Sequence, residues 1–119
     1  LDSPRLLGED FSFKQNPDLF FAGQMTGVEG YIESASSGYV AGVNAARLAR
    51  GLEEIDFTDE TVIGALSHYV YNGAYSGNFQ PMNANFGILP PLEQHIRDKR
   101  ERYSALAERS LEYMSQLNF

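Results

Sequence analysis

Three glycines in eight residues, Gly23, Gly27 and Gly30, stand between an apolar run and a long stretch of small residues. That pattern can present backbone amides to a ligand. A helix N-terminus leaves about four N–H groups without intrahelical partners and carries a partial positive charge. Glycines beside it let a ligand approach those amides closely. The combination makes a site for an anion or for an electron-rich ring edge. The spacing is G-x3-G-x2-G rather than G-x-G-x-x-G, so it is not the pyrophosphate fingerprint of dinucleotide-binding folds. Glu29 and Glu33 complement the helix dipole but repel a free phosphate, which favours a weakly charged edge such as a ring carbonyl. A tight strand-to-helix turn with no ligand carries the same signature.

Such a turn needs a strand before it and a helix after it. Leu19-Phe20-Phe21-Ala22-Gly23 reads as a short buried strand. Asn16-Pro17-Asp18 is a turn signal, and the residues before it read as a loop with one short strand near Phe11–Lys14. Thr26-Gly27-Val28-Glu29 has capping-box spacing, so a helix is expected just after Thr26, running to about Arg50 and stopping at Gly51. Leu19–Leu48 is thus one strand, turn and helix. The helix body is small: Ser34, Ala35, Ser36, Ser37, Gly38, Ala41, Gly42, Ala45 and Ala46. Each helical glycine costs about 1 kcal/mol, so a sheet or second helix is expected to press on the face that holds Gly38 and Gly42.

The rest of the chain reads as helices and loops. Residues 51–59 form an acidic linker. A second helix is expected from Asp59 to about Asn72, burying Val62, Leu66, Tyr69 and Val70. Gly73–Gly87 is a loop rich in Gly, Asn and aromatics. Pro90-Pro91 leads into a last helix expected over Leu92–Leu117, with apolar residues at Leu92, Ile96, Tyr103, Leu106, Ser110/Leu111, Met114 and Leu117.

Composition narrows the function. The chain has 119 residues, enough for one domain, with 43% apolar residues. Sixteen Asp and Glu outnumber nine Lys and Arg, and residues 51–92 hold five acidic side chains and no basic one. That is not the balance of a stand-alone nucleic-acid binder. There is no Cys, which excludes disulfides, zinc-thiolate sites and cysteine nucleophiles within these residues. No apolar run approaches about 18 residues, so no membrane span is expected. The start, Leu1-Asp2-Ser3-Pro4, has neither an initiator Met nor a signal-peptide layout, so the chain is expected to be processed or cut from a longer one.

Asn16-Pro17-Asp18-Leu19-Phe20-Phe21-Ala22-Gly23-Gln24, then Thr26-Gly27-Val28-Glu29-Gly30-Tyr31-Ile32-Glu33-Ser34-Ala35 and Gly38, resembles the late flavin-contacting motif of a two-member group of FAD proteins. One member is the tRNA uridine carboxymethylaminomethyl-modifying enzyme. The other is the folate- and FAD-dependent tRNA (uracil-5-)-methyltransferase family, TrmFO or Gid. Val28-Glu29-Gly30-Tyr31-x-Glu33-Ser34 resembles the methyltransferase form. So do His68-Tyr69, Asn72, Phe79-Gln80-Pro81-Met82-Asn83-Ala84-Asn85-Phe86-Gly87 and Leu89-Pro90-Pro91. The resemblance covers nearly the whole chain.

The resemblance implies a glutathione-reductase-like fold that binds FAD, with this chain as a C-terminal piece. Amides around Gly27, Val28, Glu29, Gly30 and Tyr31 would meet the pyrimidine edge of the flavin. Tyr31 would stack on or flank the ring, and Gly23 and Gln24 would sit by the ribityl chain. Many related flavoproteins have Asp at the place of Gln24, which leaves that role open. The implied reaction methylates ring carbon 5 of a T-loop uridine in tRNA. Methylenetetrahydrofolate supplies the carbon, and FAD, reduced by NAD(P)H, supplies electrons. The family's cysteines and its G-x-G-x-x-G fingerprint are absent, so they are expected in a missing N-terminal part of the same protein. No catalytic residue is carried over, and this chain alone is expected to be inactive.

Other features have plainer readings. Asn83, Asn85, Phe79 and Phe86 could hydrogen-bond and stack on a ligand, or could shape a turn and plug the core. Arg97, Lys99, Arg100 and Arg102 could touch tRNA phosphates, but Asp98 and Glu101 dilute them. Glu93–Arg97 and Asp98–Arg102 read as ordinary i,i+4 pairs on a solvated face. His68 and His95 lack metal-site spacing, so no metal is expected. Ser34, Ser36, Ser37 and Ser67 lack a G-x-S-x-G context.

The expected architecture is mostly α, a fragment of an α/β FAD-binding protein. Residues 1–50 would complete the parallel sheet of a split FAD domain, and 51–119 would form a helical cover. Exposed apolar surface is expected to be hidden by dimerisation or strand exchange. The setting is expected to be cytoplasmic. A non-enzymatic helical interaction module remains the alternative of another class.

Overall fold

A computed structural model describes residues 2–72 and 85–117. In chain order these form α1 (Ser3–Leu6), β1 (Ser12–Phe13), β2 (Asn16–Phe20), a 3-10 turn (Gln24–Thr26), α2 (Tyr31–Ala49), α3 (Val62–Asn72), a second 3-10 turn (Phe86–Ile88) and α4 (Lys99–Gln116). The architecture is mostly α, as the sequence implies. None of the described helices is long and apolar enough to cross a membrane.

The strand element differs from its expected form. β1 and β2 pair antiparallel, with Ser12 opposite Phe20 and Phe13 opposite Asn16. The strand starts at Asn16 rather than Leu19, and Asn16–Leu19 are exposed, with only Phe20 half-buried. A two-stranded sheet has one covered face at most, so it cannot bury the run as the centre of a larger sheet would. Asn16 still makes the local turn read from Asn-Pro-Asp, accepting the Asp18 N–H at 3.3 Å.

The core is built around α2 and α3. Leu7, Phe11, Val28, Val40, Ala41, Phe57, Leu66 and Val70 form one buried cluster. Ala65, Leu89 and Leu106 form a second, between α3, the Phe86–Ile88 turn and α4. Leu66 and Val70 are buried and Val62 and Tyr69 half-buried, which follows the expected face of α3. α3 starts at Val62 rather than Asp59 because Thr61 caps it, its Oγ1 accepting the Gly64 N–H at 2.9 Å.

α2 begins four residues later than the capping box suggests, with Gly30 as N-cap. The Thr26 hydroxyl, needed for that box, instead donates to Gly23 O at 2.8 Å. The C-terminal end keeps its expected glycine. Gly51 has φ +71°, its N–H donates to Leu48 O at 3.0 Å and the Leu52 N–H donates to Arg47 O at 2.8 Å. Those two bonds make a Schellman motif.

α4 begins at Lys99, not Leu92. Asp98 caps it, accepting the Arg100 N–H at 2.9 Å. Pro90 and Pro91 lie in an irregular segment whose carbonyls accept from Arg109, at 2.6 Å and 3.2 Å. Glu93 and Arg97 therefore precede the helix and are not an i,i+4 helical pair. Leu111 is 70% exposed, so the buried member of the expected Ser110/Leu111 position is Ser110.

The small-residue face of α2 also departs from expectation. Ser37, Val40, Ala41 and Asn44 are the buried residues of this helix. By helical periodicity Ala35, Gly38, Gly42, Ala46 and Ala49 fall on the opposite side. A Cβ placed on Gly38 or Gly42 would meet nothing within 4 Å. Neither the β1–β2 sheet nor α3 presses on that face, because both pack on the Ser37–Asn44 side.

Candidate functional site

The glycine turn is held by local backbone geometry and by α2. Gly23 has φ +85° and ψ −165°, Gly27 φ +109° and ψ +7°, and Gly30 φ +109° and ψ +162°. These conformations strain any residue with a Cβ. Between them, Gln24–Thr26 close a 3-10 turn, with Thr26 N–H donating to Gly23 O at 2.9 Å and Gly27 N–H to Gln24 O at 3.1 Å. The Gly23 N–H donates to Ser37 Oγ at 2.7 Å, and that hydroxyl donates to Ser34 O at 2.7 Å. The Ser3 hydroxyl donates to Thr26 O from α1. The turn is thus hung from one helix and braced by another.

Burial divides the predicted site residues. Thr26, Gly27 and Val28 are buried, and Val28 at 0% exposure is a core anchor whose side chain faces the cluster of Phe11 and Val40. Gln24, Glu29 and Tyr31 are exposed, with Gly23 and Gly30 half-buried. Tyr31 is 96% exposed and Ile32 82% exposed, an apolar pair at the first turn of α2. Gly30 supplies no side-chain cap, and Glu33 is the acidic residue of that turn. A Cβ at Gly23 would meet nothing within 4 Å. The turn therefore offers a helix N-terminus, an uncrowded glycine and an exposed aromatic ring in one place. Those are fitting features for the edge and face of a planar heterocycle. Sequence reasoning missed Ser37 as the acceptor for Gly23. Its hydroxyl lies within the small-residue run, and nothing local distinguishes it from Ser34 or Ser36.

The other candidates resolve differently. Residues 73–84, with Phe79 and Asn83, lie outside the described residues. Asn85 Oδ1 accepts the Gly87 N–H at 2.7 Å, and Phe86 stacks on Tyr103 with centroids 4.6 Å apart. These two shape a turn and pack the second core cluster. Arg97, Lys99 and Arg100 are exposed. Arg102 is half-buried, its Nη1 donating to Ile96 O at 3.4 Å and its guanidinium 5.6 Å from the Tyr103 centroid. His68 Nδ1 stands 3.3 Å from Glu9 Oε1. Among the described residues, no group of three or more His, Cys, Asp or Glu is placed to hold a metal ion.

The turn lies inside the segment matched by a family model. Residues 1–53 match the family described as glucose inhibited division protein A. Over 111 residues the chain is 63% identical to a methylenetetrahydrofolate–tRNA-(uracil-5-)-methyltransferase TrmFO of Lactiplantibacillus plantarum, covering 93% of this chain and 25% of that protein. The chain resembles one quarter of a TrmFO methyltransferase. A TrmFO of Enterococcus faecalis is 55% identical over 117 residues, which is 98% of this chain and 27% of that protein. One of Halalkalibacterium halodurans is 55% identical over 112 residues, 94% of this chain and 26% of its own length. The chain thus spans about a quarter of the TrmFO relatives it matches, and the likeness to TrmFO runs through both the glycine turn and the α3–α4 region.

Proposed function

We propose that this chain is the C-terminal, flavin-facing part of a folate-dependent tRNA (uracil-5-)-methyltransferase. The observation that carries the reading is the glycine turn, with three positive-φ glycines leading into an uncapped helix start beside the 96%-exposed Tyr31. Identities of 55–63% to TrmFO proteins over more than nine-tenths of the chain support it. The Phe79–Gly87 block, as a sequence pattern, favours the methyltransferase over the carboxymethylaminomethyl-modifying relative.

In this reading the amides of Val28–Tyr31 would hold the pyrimidine edge of FAD, Gly27, whose own N–H is kept by Gln24 O, would shape the turn behind them, Tyr31 would cover the ring, and Gly23 and Gln24 would flank the ribityl chain. FAD supplies reducing equivalents to the carbon delivered by methylenetetrahydrofolate, with NAD(P)H as the outer reductant. This chain's own part is positioning. Positive charge at the α2 N-terminus stabilises anionic character at the ring edge, and Tyr31 and Ile32 exclude water from it. The remaining N-terminal part of the parent carries the pyrophosphate site and the catalytic residues. Residues 1–50 complete the flavin domain and 51–119 cover it. The parent acts on tRNA in the cytoplasm, and the isolated chain associates with itself through the surface the parent would bury.

The test is FAD retention by the full-length parent with Gly27 and Gly30 both replaced by Val. Val is strained at a φ of +109°. The expected result is a fall in FAD affinity of at least about tenfold. Undiminished FAD content in a folded double variant would sink the cofactor role of the turn.

A further inference from the structure

A serine inside a helix often turns its hydroxyl back to a carbonyl one turn earlier. Ser37 does so, donating to Ser34 O at 2.7 Å. A hydroxyl has one proton to give and two lone pairs to accept with. Ser37 uses a lone pair to accept the Gly23 N–H at 2.7 Å, from 14 residues earlier in the chain. Ser37 is 1% exposed, so water does not compete for either bond.

Thr26 holds the other side of Gly23. Its N–H donates to Gly23 O at 2.9 Å, and its Oγ1 donates to the same oxygen at 2.8 Å. Both polar backbone groups of Gly23 are therefore bonded while it keeps φ +85° and ψ −165°. The second bond of Ser37 carries the tie into the helix start. The Ser34 carbonyl takes the Ser37 proton, and the Ser34 N–H donates to the carbonyl of the N-cap Gly30 at 3.0 Å. One buried hydroxyl thus joins Gly23, at one end of the glycine turn, to Gly30 at the other. Ser36 is half-buried and stands about 100° round the helix from Ser37, away from this tie.

We propose that Ser37 is a positioning residue for the bound flavin. By holding Gly23 against the first turn of α2, it fixes the spacing between the backbone beside the ribityl chain and the Val28–Tyr31 amides at the ring edge. This role rests on the flavin reading of the glycine turn. Ser37 is buried and acts through Gly23. Without its hydroxyl the Gly23 N–H loses its partner, and a glycine freed in this way has many other conformations open to it. The loss falls on the flavin half of the cofactor alone, because the pyrophosphate half is held by another part of the parent.

The test compares Ser37→Ala with the unsubstituted full-length parent, both freed of cofactor, by calorimetric titration with FAD and separately with ADP. ADP carries the pyrophosphate half without the flavin. The variant is expected to bind FAD about tenfold more weakly and ADP within about twofold of the parent. Bound FAD is expected to show a changed visible circular dichroism band. A merely structural role lowers both affinities together, and that outcome overturns the proposal. An unchanged FAD affinity, or an equal loss in Ser36→Ala, overturns it too. The double variant Gly27→Val, Gly30→Val separates two kinds of failure. FAD lost there but kept in Ser37→Ala sinks the role of Ser37 and spares the flavin reading, whereas FAD kept in both sinks both. Should Ser37→Ala fail to fold, hydrogen exchange at the Gly23 amide of the unsubstituted holoprotein decides. Slow exchange is expected, and exchange at the rate of a free peptide overturns the proposal.

Discussion

The Thr58 carbonyl packs on Gly64 so closely that a Cβ built there would stand 1.6 Å from Thr58 O and 2.8 Å from the Phe57 carbonyl carbon. Thr61 Oγ1 locks the contact, donating to Phe57 O at 2.8 Å and accepting the Gly64 N–H at 2.9 Å. Thr58 itself takes φ +52°, and Phe57 is thereby set into the core at 4% exposure. The end of the acidic linker is clamped to the first turn of α3.

Gly64→Ala must displace backbone, not a flexible side chain. It is expected to cost about 3 kcal/mol and to lower the thermal midpoint by about 10 °C. A melting curve superimposable on that of the parent chain would show that the clamp is not tight.

The carboxyl of Glu54 gives stability a pH signature. Its folded value is about 7 against an ordinary 4.5, first because of the hydrogen bond to Asp10 and then because of burial. The folded state therefore holds this proton more tightly than the unfolded state. Its contribution is full below 4.5 and is lost as pH rises through about 7. Comparing melts of the chain and of Glu54→Gln across that window isolates the effect. The advantage of the chain over the variant should shrink as pH rises, and a difference independent of pH would rule out the shared proton.

Self-association is expected from the exposed apolar residues at the start of α2. Tyr31 and Ile32 are 96% and 82% exposed. Sedimentation velocity should show concentration-dependent association that Ile32→Glu reduces. A compact monomer at high concentration would reject it.

FAD added to this chain alone should bind weakly or not at all, since the proposed pyrophosphate site lies elsewhere in the parent. Flavin fluorescence checks this. Micromolar or tighter binding would overturn the division of the site between two parts of one protein.

Much of the glycine turn was legible in the sequence. Gly23, Gly27, Gly30 and Gly51 all adopt positive φ, and each sits at a boundary read from its neighbours. The helical face of α3 was legible too, because Leu66 and Val70 follow a helical period. Helix starts were not. Thr26 and Glu29 have the spacing of a cap, yet Thr26 turns its hydroxyl to Gly23 and the helix waits for Tyr31. Pro90-Pro91 suits a first turn, yet Arg109 from α4 takes those carbonyls and Asp98 starts the helix instead.

By itself the sequence determined where the backbone must bend, that the bodies of α2, α3 and α4 are helical and that a strand, a glycine turn and a helix follow one another, while the four-residue α1 (Ser3–Leu6), too short to show a period, read as loop. Those properties depend on a few consecutive residues, whose steric limits and periodicity act locally. Only the tertiary structure decided that Ser37 holds Gly23 and that the small-residue face of α2 points away from the core. It alone brought Asp10, Asn44 and Glu54 to one cavity. Those relations join residues distant in sequence, and no local preference encodes a partner that arrives only when the chain has folded.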